Sequence, residues 1–353
     1  MSSVTSTPSP PAQSASQLLL KINGLKVEFP TDDGLVTAVH DVSFSINRGQ
    51  AVGLVGESGC GKSMTGLALL RLIPRPGRIA AGQINFTPRV DEPSVEIVGM
   101  EQNGTAVRAL RGNEIAMIFQ EPMSSLNPVY TIGDQIGEAV MLHRNVGKKE
   151  ARERAIEMLN RVGMPAPKLR VDEYPHQLSG GMRQRAMIAL ALSCDPRLLI
   201  ADEPTTALDV TVQAQIVDLM RDLQQEMGMA ILMISHDLGV IADICDQVVV
   251  MYAGRVVEQG TSDDVFYNPK HPYTRGLLKS APVLGGNVGA RLFAIPGSVP
   301  DPLAMPKGCS FHPRCNERFS ACVQMPDLIE LAPGHWGRCW ARIKEVDNGN
   351  LAK

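Results

Sequence analysis

Three observations predict an α/β fold. A short, continuously apolar run, Ala51–Val55, leads straight into the glycine-rich stretch Gly56-Glu-Ser-Gly-Cys-Gly-Lys-Ser63. Two further apolar runs, 198–201 and 230–234, are separated by the helical stretch Val210–Met227. Such runs suit strands buried on both faces, and strands that alternate with helices build a mostly parallel sheet.

The remaining elements can be taken in chain order. Residues 18–29 and 36–46 alternate apolar and polar side chains as antiparallel strands do, with a turn at Asp32-Asp33-Gly34. After strand 51–55, a helix over 63–72 is ended by Pro74 and Pro76. A second short strand is expected at 114–119. From 121 to about 177 the chain turns helical, in segments separated by Pro and Gly. There Ala155, Met158, Leu159 and Val162 lie at helical spacing, and Gly163 closes the helix. A last hairpin turns at Ala253-Gly254. Beyond Gly260 the accumulation of Pro, Gly and Cys predicts a loop-dominated extension. No internal repeat is visible, so the arrangement occurs once.

Composition narrows the class. At 353 residues the chain is long enough for a large core and an appended domain. Its 44% hydrophobic and 20% charged residues describe an ordinary globular protein. A formal net charge of −3 argues against a nucleic-acid binder, which needs clustered excess Lys and Arg. No apolar run approaches the roughly 20 residues that span a bilayer, so membrane association would go through a partner. Residues 1–17 hold Ser, Thr, Pro and Ala without an apolar segment, and read as a disordered tail rather than a secretory signal. The expected compartment is cytosolic, where the seven cysteines would not form a disulfide framework.

Gly56 to Ser63 fits G-x-x-x-x-G-K-[ST], a loop whose backbone N–H groups, lysine and hydroxyl hold nucleotide phosphates and Mg²⁺. Gln120 comes after the second short strand, then Leu178-Ser-Gly-Gly-Met182, Asp202-Glu203 and His236. Taken alone, each has a plain structural reading: Gln120 as a surface amide, His236 as a helix cap beside Asp237, Asp202-Glu203 as a solvated strand end. In this order and at strand ends, the set resembles the ATP-binding subunits of ABC transporters, over roughly residues 18 to 353. That resemblance implies a phosphate-loop (RecA-like) ATPase core, an antiparallel β-subdomain and a helical insert over about 121–178.

It also implies roles. Gly56, Ser58, Gly59, Cys60 and Gly61 would wrap the phosphates at a helix N-terminus, with Met64 just beyond. Lys62 would reach the β- and γ-phosphates. Ser63, Gln120 and Asp202 would hold Mg²⁺. Glu203 would be the general base for the attacking water, with His236 and Gln120 sensing the γ-phosphate. Ser179 and Gly181 of the signature would bind ATP held by an opposite subunit, and Asp209 would tie the two half-sites together. The family signature commonly ends in Gln where Met182 stands, a departure that touches no phosphate contact. Phe29 occupies the place of an adenine-stacking aromatic, although a core strand phenylalanine is its alternative. Cys60 reads as a small filler.

Three stretches resemble dipeptide and oligopeptide permease ATPases, a group that includes nickel and glutathione importers. They are the run from Phe119 through Asn127-Pro128, His271-Pro-Tyr-Thr274, and Ile295-Pro-Gly-Ser-Val-Pro300. The His-Pro-Tyr turn is expected to be structural only. Cys309, Cys315, Cys322 and Cys339 have neither zinc-ribbon nor bacterial-ferredoxin spacing. Four cysteines in a segment expected to lack much core still suggest a metal centre, and some relatives carry a 4Fe–4S cluster at such a set; zinc and free thiols are the alternatives. The implied partners are a second, homologous ATPase subunit in a heterodimer, two transmembrane permease subunits and an extracytoplasmic solute-binding protein, at the cytoplasmic face of the membrane. The solute would be a di- or oligopeptide or a related molecule. The rival reading is a soluble ABC ATPase with a redox-sensing iron–sulfur tail. Cassette (18–260) and four-cysteine extension (261–353) are expected as successive domains.

Overall fold

A computed structural model describes residues 17–120, 125–206, 208–280 and 294–351. The expected tail before residue 17, part of the stretch after Phe119, and Ala207 lie outside the described residues.

Two sheets form the frame. Strands β1 (Leu18–Thr31), β2 (Gly34–Asn47), β4 (Arg78–Phe86) and β5 (Val95–Glu96) make an antiparallel sheet in the order β2-β1-β4-β5. The second sheet has the order β11-β12-β10-β9-β3-β8-β7-β6. Its centre comprises β3 (Ala51–Val55), β6 (Ile115–Ile118), β7 (Leu198–Asp202), β8 (Ala230–Ser235) and β9 (Gln247–Tyr252). All of these neighbours pair in parallel. Every residue of β3, β7 and β8 is buried, as the unalternating apolar runs require. The register aligns Val55 with Ser235, Asp202 with Ile234, and Ile118 with Ala201. The segment leaving each of these strands therefore emerges along one edge of the sheet.

The helical insert packs around a spine of apolar positions. Ile132, Ile136 and Val140 are buried at four-residue spacing on helix Ile132–Arg144, which Thr131 caps by accepting from Asp134 N–H. Helix Lys148–Arg161 buries Ala151, Ala155, Met158 and Leu159, the face that the sequence marks. The helix after the glycine loop is shorter than expected, Lys62–Leu69. Arg71 adopts φ 53 there, while Leu72 N–H donates to Leu67 O and Arg71 N–H to Ala68 O. This is a Schellman termination, achieved without glycine and three residues before the expected end.

The C-terminal extension departs most from expectation. Its described residues from 294 to 328 are loop with two short 3-10 turns, as expected, but it also contains helices Ser262–Tyr267, Pro272–Ser280 and Trp340–Leu351 and strands β11 (Ile329–Ala332) and β12 (His335–Gly337). The extension also joins the cassette sheet, because β12 pairs with β10 (Arg255–Thr261), Glu258 opposite Gly337. Strands of three and four residues carry too little periodicity to read from sequence, and it is the open edge of β10 that recruits them. The junction is fixed by a fully buried carboxylate. Glu258 accepts from the N–H groups of Lys270 (2.6 Å) and His271 (2.8 Å) and lies 2.7 Å from His335 Nε2. Burial raises the Glu258 pKa, but these hydrogen bonds more than offset it and leave the group below the ordinary carboxylate range.

Burial pushes His271 down to about 4, so the folded extension holds this imidazole neutral while the unfolded chain protonates it below about 6.5. The folded state thus loses stability, relative to neutral pH, as pH falls from 6.5 toward 4, because only the unfolded chain takes up that proton. Melting full-length protein at pH 7.5 and pH 5.0 should show a loss of about 2 kcal/mol attributable to this site. His271→Gln should flatten that part of the profile; an unchanged slope would discount the site.

Candidate functional site

The glycine loop rises from β3 into helix Lys62–Leu69. Two of its glycines are sterically obligatory. Gly56 has φ 152, and a Cβ there would lie 2.2 Å from Met251 O; Gly61 has φ 100, and a Cβ would lie 2.4 Å from Ala38 O. The loop is thus pressed between β9 and the β2 side of the antiparallel sheet. Ser58 and Gly59 are exposed at its crest, whereas Cys60 is buried beneath. Burial pushes the Cys60 thiol upward, as a filler role predicts. Lys62 is buried, with Nζ donating to Gly56 O (2.8 Å) and Glu57 O (3.1 Å), and Met64 packs on the apolar cluster below. Gly61 caps the helix without a side chain, so its first N–H groups keep no competing acceptor from the cap residue.

Along the same edge the other strand ends bring their groups together. Ser63 Oγ donates to Asp202 Oδ1 at 3.0 Å. Burial raises the Asp202 pKa, the Ser63 hydrogen bond opposes this, and neighbouring Glu203 adds to the rise. Glu203 has φ 47, a left-handed conformation that is costly for a residue with a side chain, and its N–H is anchored to Ile234 O at 2.8 Å. Its carboxylate gathers three partners. Gln120 Nε2 donates to Oε2 (3.1 Å), Thr206 Oγ1 donates to the same oxygen (2.9 Å), and His236 Nδ1 lies 3.1 Å from Oε1. The structure therefore unites Gln120, Glu203 and His236, and joins Ser63 to Asp202. Thr206 is absent from the sequence-based site, where its only signal is proximity to Glu203.

The signature lies apart from this cluster. Ser179 caps helix Gly180–Leu192 and is exposed, its Oγ accepting from Met182 N–H at 3.4 Å. Among the described residues no hydrogen bond joins Ser179 or Gly181 to the glycine loop. A Cβ on Gly181 would stand 3.2 Å from Val212 Cγ1, so the signature abuts helix Val210–Met227. Exposed Asp209 caps that helix, accepting from Val212 N–H at 3.0 Å. Buried Gln184 links the signature helix to the edge that carries Glu203 by donating to Pro204 O. Phe29 is half-buried on β1 against Gly77, where an added Cβ would meet its Cε1 at 2.4 Å. One edge of the ring is thus packed against Gly77 while the side chain stays only half-buried.

Cys309, Cys315, Cys322 and Cys339 line one cavity, with Phe311, Phe319 and Trp340 among its walls. Burial pushes Cys309 up to about 11 and raises Cys315 and Cys339 as well, each partly countered by backbone N–H groups directed at the sulfur. One of these is Glu317 N–H, 3.4 Å from Cys315 Sγ. The donor set and its N–H groups suit thiolate ligands. Among the described residues, however, no three His, Cys, Asp or Glu side chains converge as a ready metal site.

Comparison with known proteins agrees with this geometry. The ABC transporter family model matches residues 39–206, and that of the oligopeptide/dipeptide transporter C-terminal region matches 257–322. The chain is 48% identical to the oligopeptide transport ATP-binding protein OppD of Escherichia coli, over 98% of this chain and 100% of the relative. It is 50% identical to the oligopeptide transport ATP-binding protein AppD of Bacillus subtilis, over 93% and 98%. Among solved structures, the dimeric ATP-binding cassette MJ0796 in a post-hydrolysis state with ADP and Pi shares the fold. Its TM-score is 0.61 at 24% identity, over 69% of this chain and 99% of that one.

Gly56→Ala should leave the far-ultraviolet spectrum unchanged and weaken nucleotide binding at least tenfold, because the loop must move off Met251 O and abandon its φ. Equilibrium titration with a fluorescent ATP analogue measures this, and wild-type affinity would refute the steric argument.

Proposed function

The chain belongs to the ABC transporter ATPases with an oligopeptide/dipeptide-type C-terminal region, and on that premise we propose that it energises import of di- or oligopeptides. One observation carries the chemical part: the Glu203 carboxylate, beside the Ser63–Asp202 pair, is held by Gln120, Thr206 and His236. Glu203 takes a proton from the attacking water. Gln120 and Thr206 donate to it, His236 stands beside its other oxygen, and its left-handed backbone sets the carboxylate at the strand end. Ser63, Asp202 and Gln120 are suited to hold Mg²⁺, which would neutralise developing phosphate charge. Gly56, Ser58, Gly59, Cys60, Gly61, Lys62, Ser63 and Met64 form the cradle, and His236 with Gln120 reads the γ-phosphate. Phe29 would stack on adenine with whatever face its packing leaves open.

Exposure of Ser179 and Asp209, with Gly181 half-buried beside them and all three without a hydrogen bond to the chain's own loop among the described residues, supports a composite site with a second ATPase subunit, a homologous chain in our reading. Two permease subunits and an extracytoplasmic binding protein complete the proposed importer. Its place is the cytoplasmic face of the membrane; no described helix is long and apolar enough to cross. We take 18–260 as the cassette, with its insert near 121–178, and 261–353 as an extension continuous with the core sheet. The four cysteines, which line one cavity, are proposed to hold a metal centre, with 4Fe–4S preferred over zinc on the resemblance to permease ATPases that carry a cluster at such a set. A cluster would cross-link the extension's segments through deprotonated thiols. No observation favours the rival reading of a soluble redox-sensing ATPase.

Glu203→Gln should retain ATP binding and slow hydrolysis by about 10²–10⁴-fold in the assembled transporter, once turnover at the partner's site is subtracted. Lys62→Ala should lose binding at its own loop, whereas Ser179→Ala should impair the nucleotide held by the partner. Site-resolved photolabelling that places both defects at one loop would contradict the composite arrangement. Anaerobic protein should contain about four irons per chain if the cluster is present. Stoichiometric zinc without iron would replace that assignment and keep the ligands. Peptide-stimulated ATPase in vesicles carrying the whole importer tests the substrate class.

A further inference from the structure

The first turn of the phosphate loop is gripped by residues more than two hundred positions downstream. Glu57, between Gly56 and Ser58, receives a bidentate pair from Arg314: Nη1 to Oε2 at 2.7 Å and Nη2 to Oε1 at 3.1 Å. The same guanidinium donates to Tyr252 Oη (3.3 Å), Ile295 O (3.3 Å) and Pro296 O (3.0 Å), and its side chain is only 5% exposed. Glu57 N–H donates to Tyr273 Oη at 2.8 Å. That amide is therefore spent on the extension and not directed at phosphate. Tyr252, Tyr273 and Phe311 pack as a triad, with centroids 4.6, 5.2 and 5.4 Å apart, and the guanidinium lies over two of the rings.

We propose that Arg314 and Tyr273 are positioning residues for ATP, clamping Glu57 so that the C-terminal extension sets the affinity of the phosphate loop. The inference rests on the loop's assignment as the nucleotide cradle. A loop of glycines has many backbone conformations, and only one aims its N–H groups together. Gly56 and Gly61 are pinned by Met251 and Ala38. Glu57, by contrast, is tied to the cassette through its carbonyl, which accepts from Lys62 Nζ and Cys60 N–H, while its N–H and carboxylate turn to the extension. Arg314 grips it in a geometry that lysine cannot reproduce, since the planar fork meets both carboxylate oxygens at once. The clamp also sits where the cysteines can reach it. Arg314 ends the turn His312–Arg314 between Cys309 and Cys315, whose sulfurs line the shared cavity. The order of that cavity is thereby transmitted to the loop through one side chain.

Arg314→Lys keeps the charge that attracts phosphate and loses the fork; Tyr273→Phe removes the acceptor for Glu57 N–H with little change of shape. In full-length protein, each should raise the Kd for ATP about three- to tenfold. In the assembled transporter, KM should rise correspondingly with kcat within about twofold. The double variant should fall short of the product of the single effects, because both act on Glu57. A lowered melting temperature with wild-type Kd and KM in both variants would make the contacts merely structural and overturn the proposal. If Arg314→Lys does not fold, Tyr273→Phe alone decides by the same criterion. Lys62→Ala separates the two readings: if it binds ATP normally, the cradle assignment fails. If it loses binding while the clamp variants bind normally, only the clamp fails.

Discussion

The site depends on one constraint, the parallel register of β3, β8, β7 and β6. Because these strands run the same way and are aligned within a residue, their carboxyl ends form a single line of departure. The glycine loop, His236, Glu203 and Gln120 are the residues that depart there. Ligands of open α/β sheets collect at such edges because helix N-termini and loops converge on them. Alignment matters to within one residue. A slip in β7 would turn Asp202 to the other face and break its 3.0 Å contact with Ser63. Strands buried on both faces resist such a slip, since each alternative exposes or overpacks an apolar side chain.

Local strain is the second contribution. Glu203 occupies a left-handed backbone conformation immediately after a buried strand, a state costing about 1–3 kcal/mol. Pairing in the sheet on one side and the Ile234 carbonyl on the other over-determine it. What the strain secures is direction: the carboxylate meets Gln120, Thr206 and His236 together. Asp202, one residue earlier, keeps sheet geometry and faces Ser63 instead. Adjacent carboxylates thus point at different partners, which allows one to serve a metal and the other a water.

Much of this is legible in the sequence because buried parallel strands write themselves as unalternating apolar runs. Ala51–Val55 and Val210–Met227 have the expected limits. The group of Gln120, Glu203 and His236 is legible through the family resemblance that the ordered motifs carry, and the parallel sheet is what brings these strand-end residues together. Other parts are hidden for physical reasons. Strand β4 alternates only weakly around Gly82, whose backbone passes within contact of Gly24 and Leu25. Arg71 ends a helix in a conformation usually taken by glycine. Tyr273 reads as part of a structural turn, yet its hydroxyl belongs to the phosphate loop. No local pattern announces Arg314–Glu57, because ion pairs across 257 positions leave no periodicity.

The extension is held at two places that differ in kind. On one side β12 closes the edge of β10, and buried Glu258 collects donors from Lys270, His271 and His335. On the other, Arg314 reaches into the cassette and takes the loop's carboxylate. The first anchor is main-chain pairing around a fully satisfied buried charge, where any lost partner leaves an uncompensated carboxylate. It resists small changes and fails all at once. The second is a set of side-chain hydrogen bonds at a partly exposed glutamate, which can weaken by degrees. The cysteine cavity touches both anchors: it adjoins the Arg314 turn, and it is also lined by His271, which donates to Glu258, and by Cys339, two residues beyond β12. Of the two, the graded Arg314 contact is the one through which the proposed adjustment of nucleotide affinity would act.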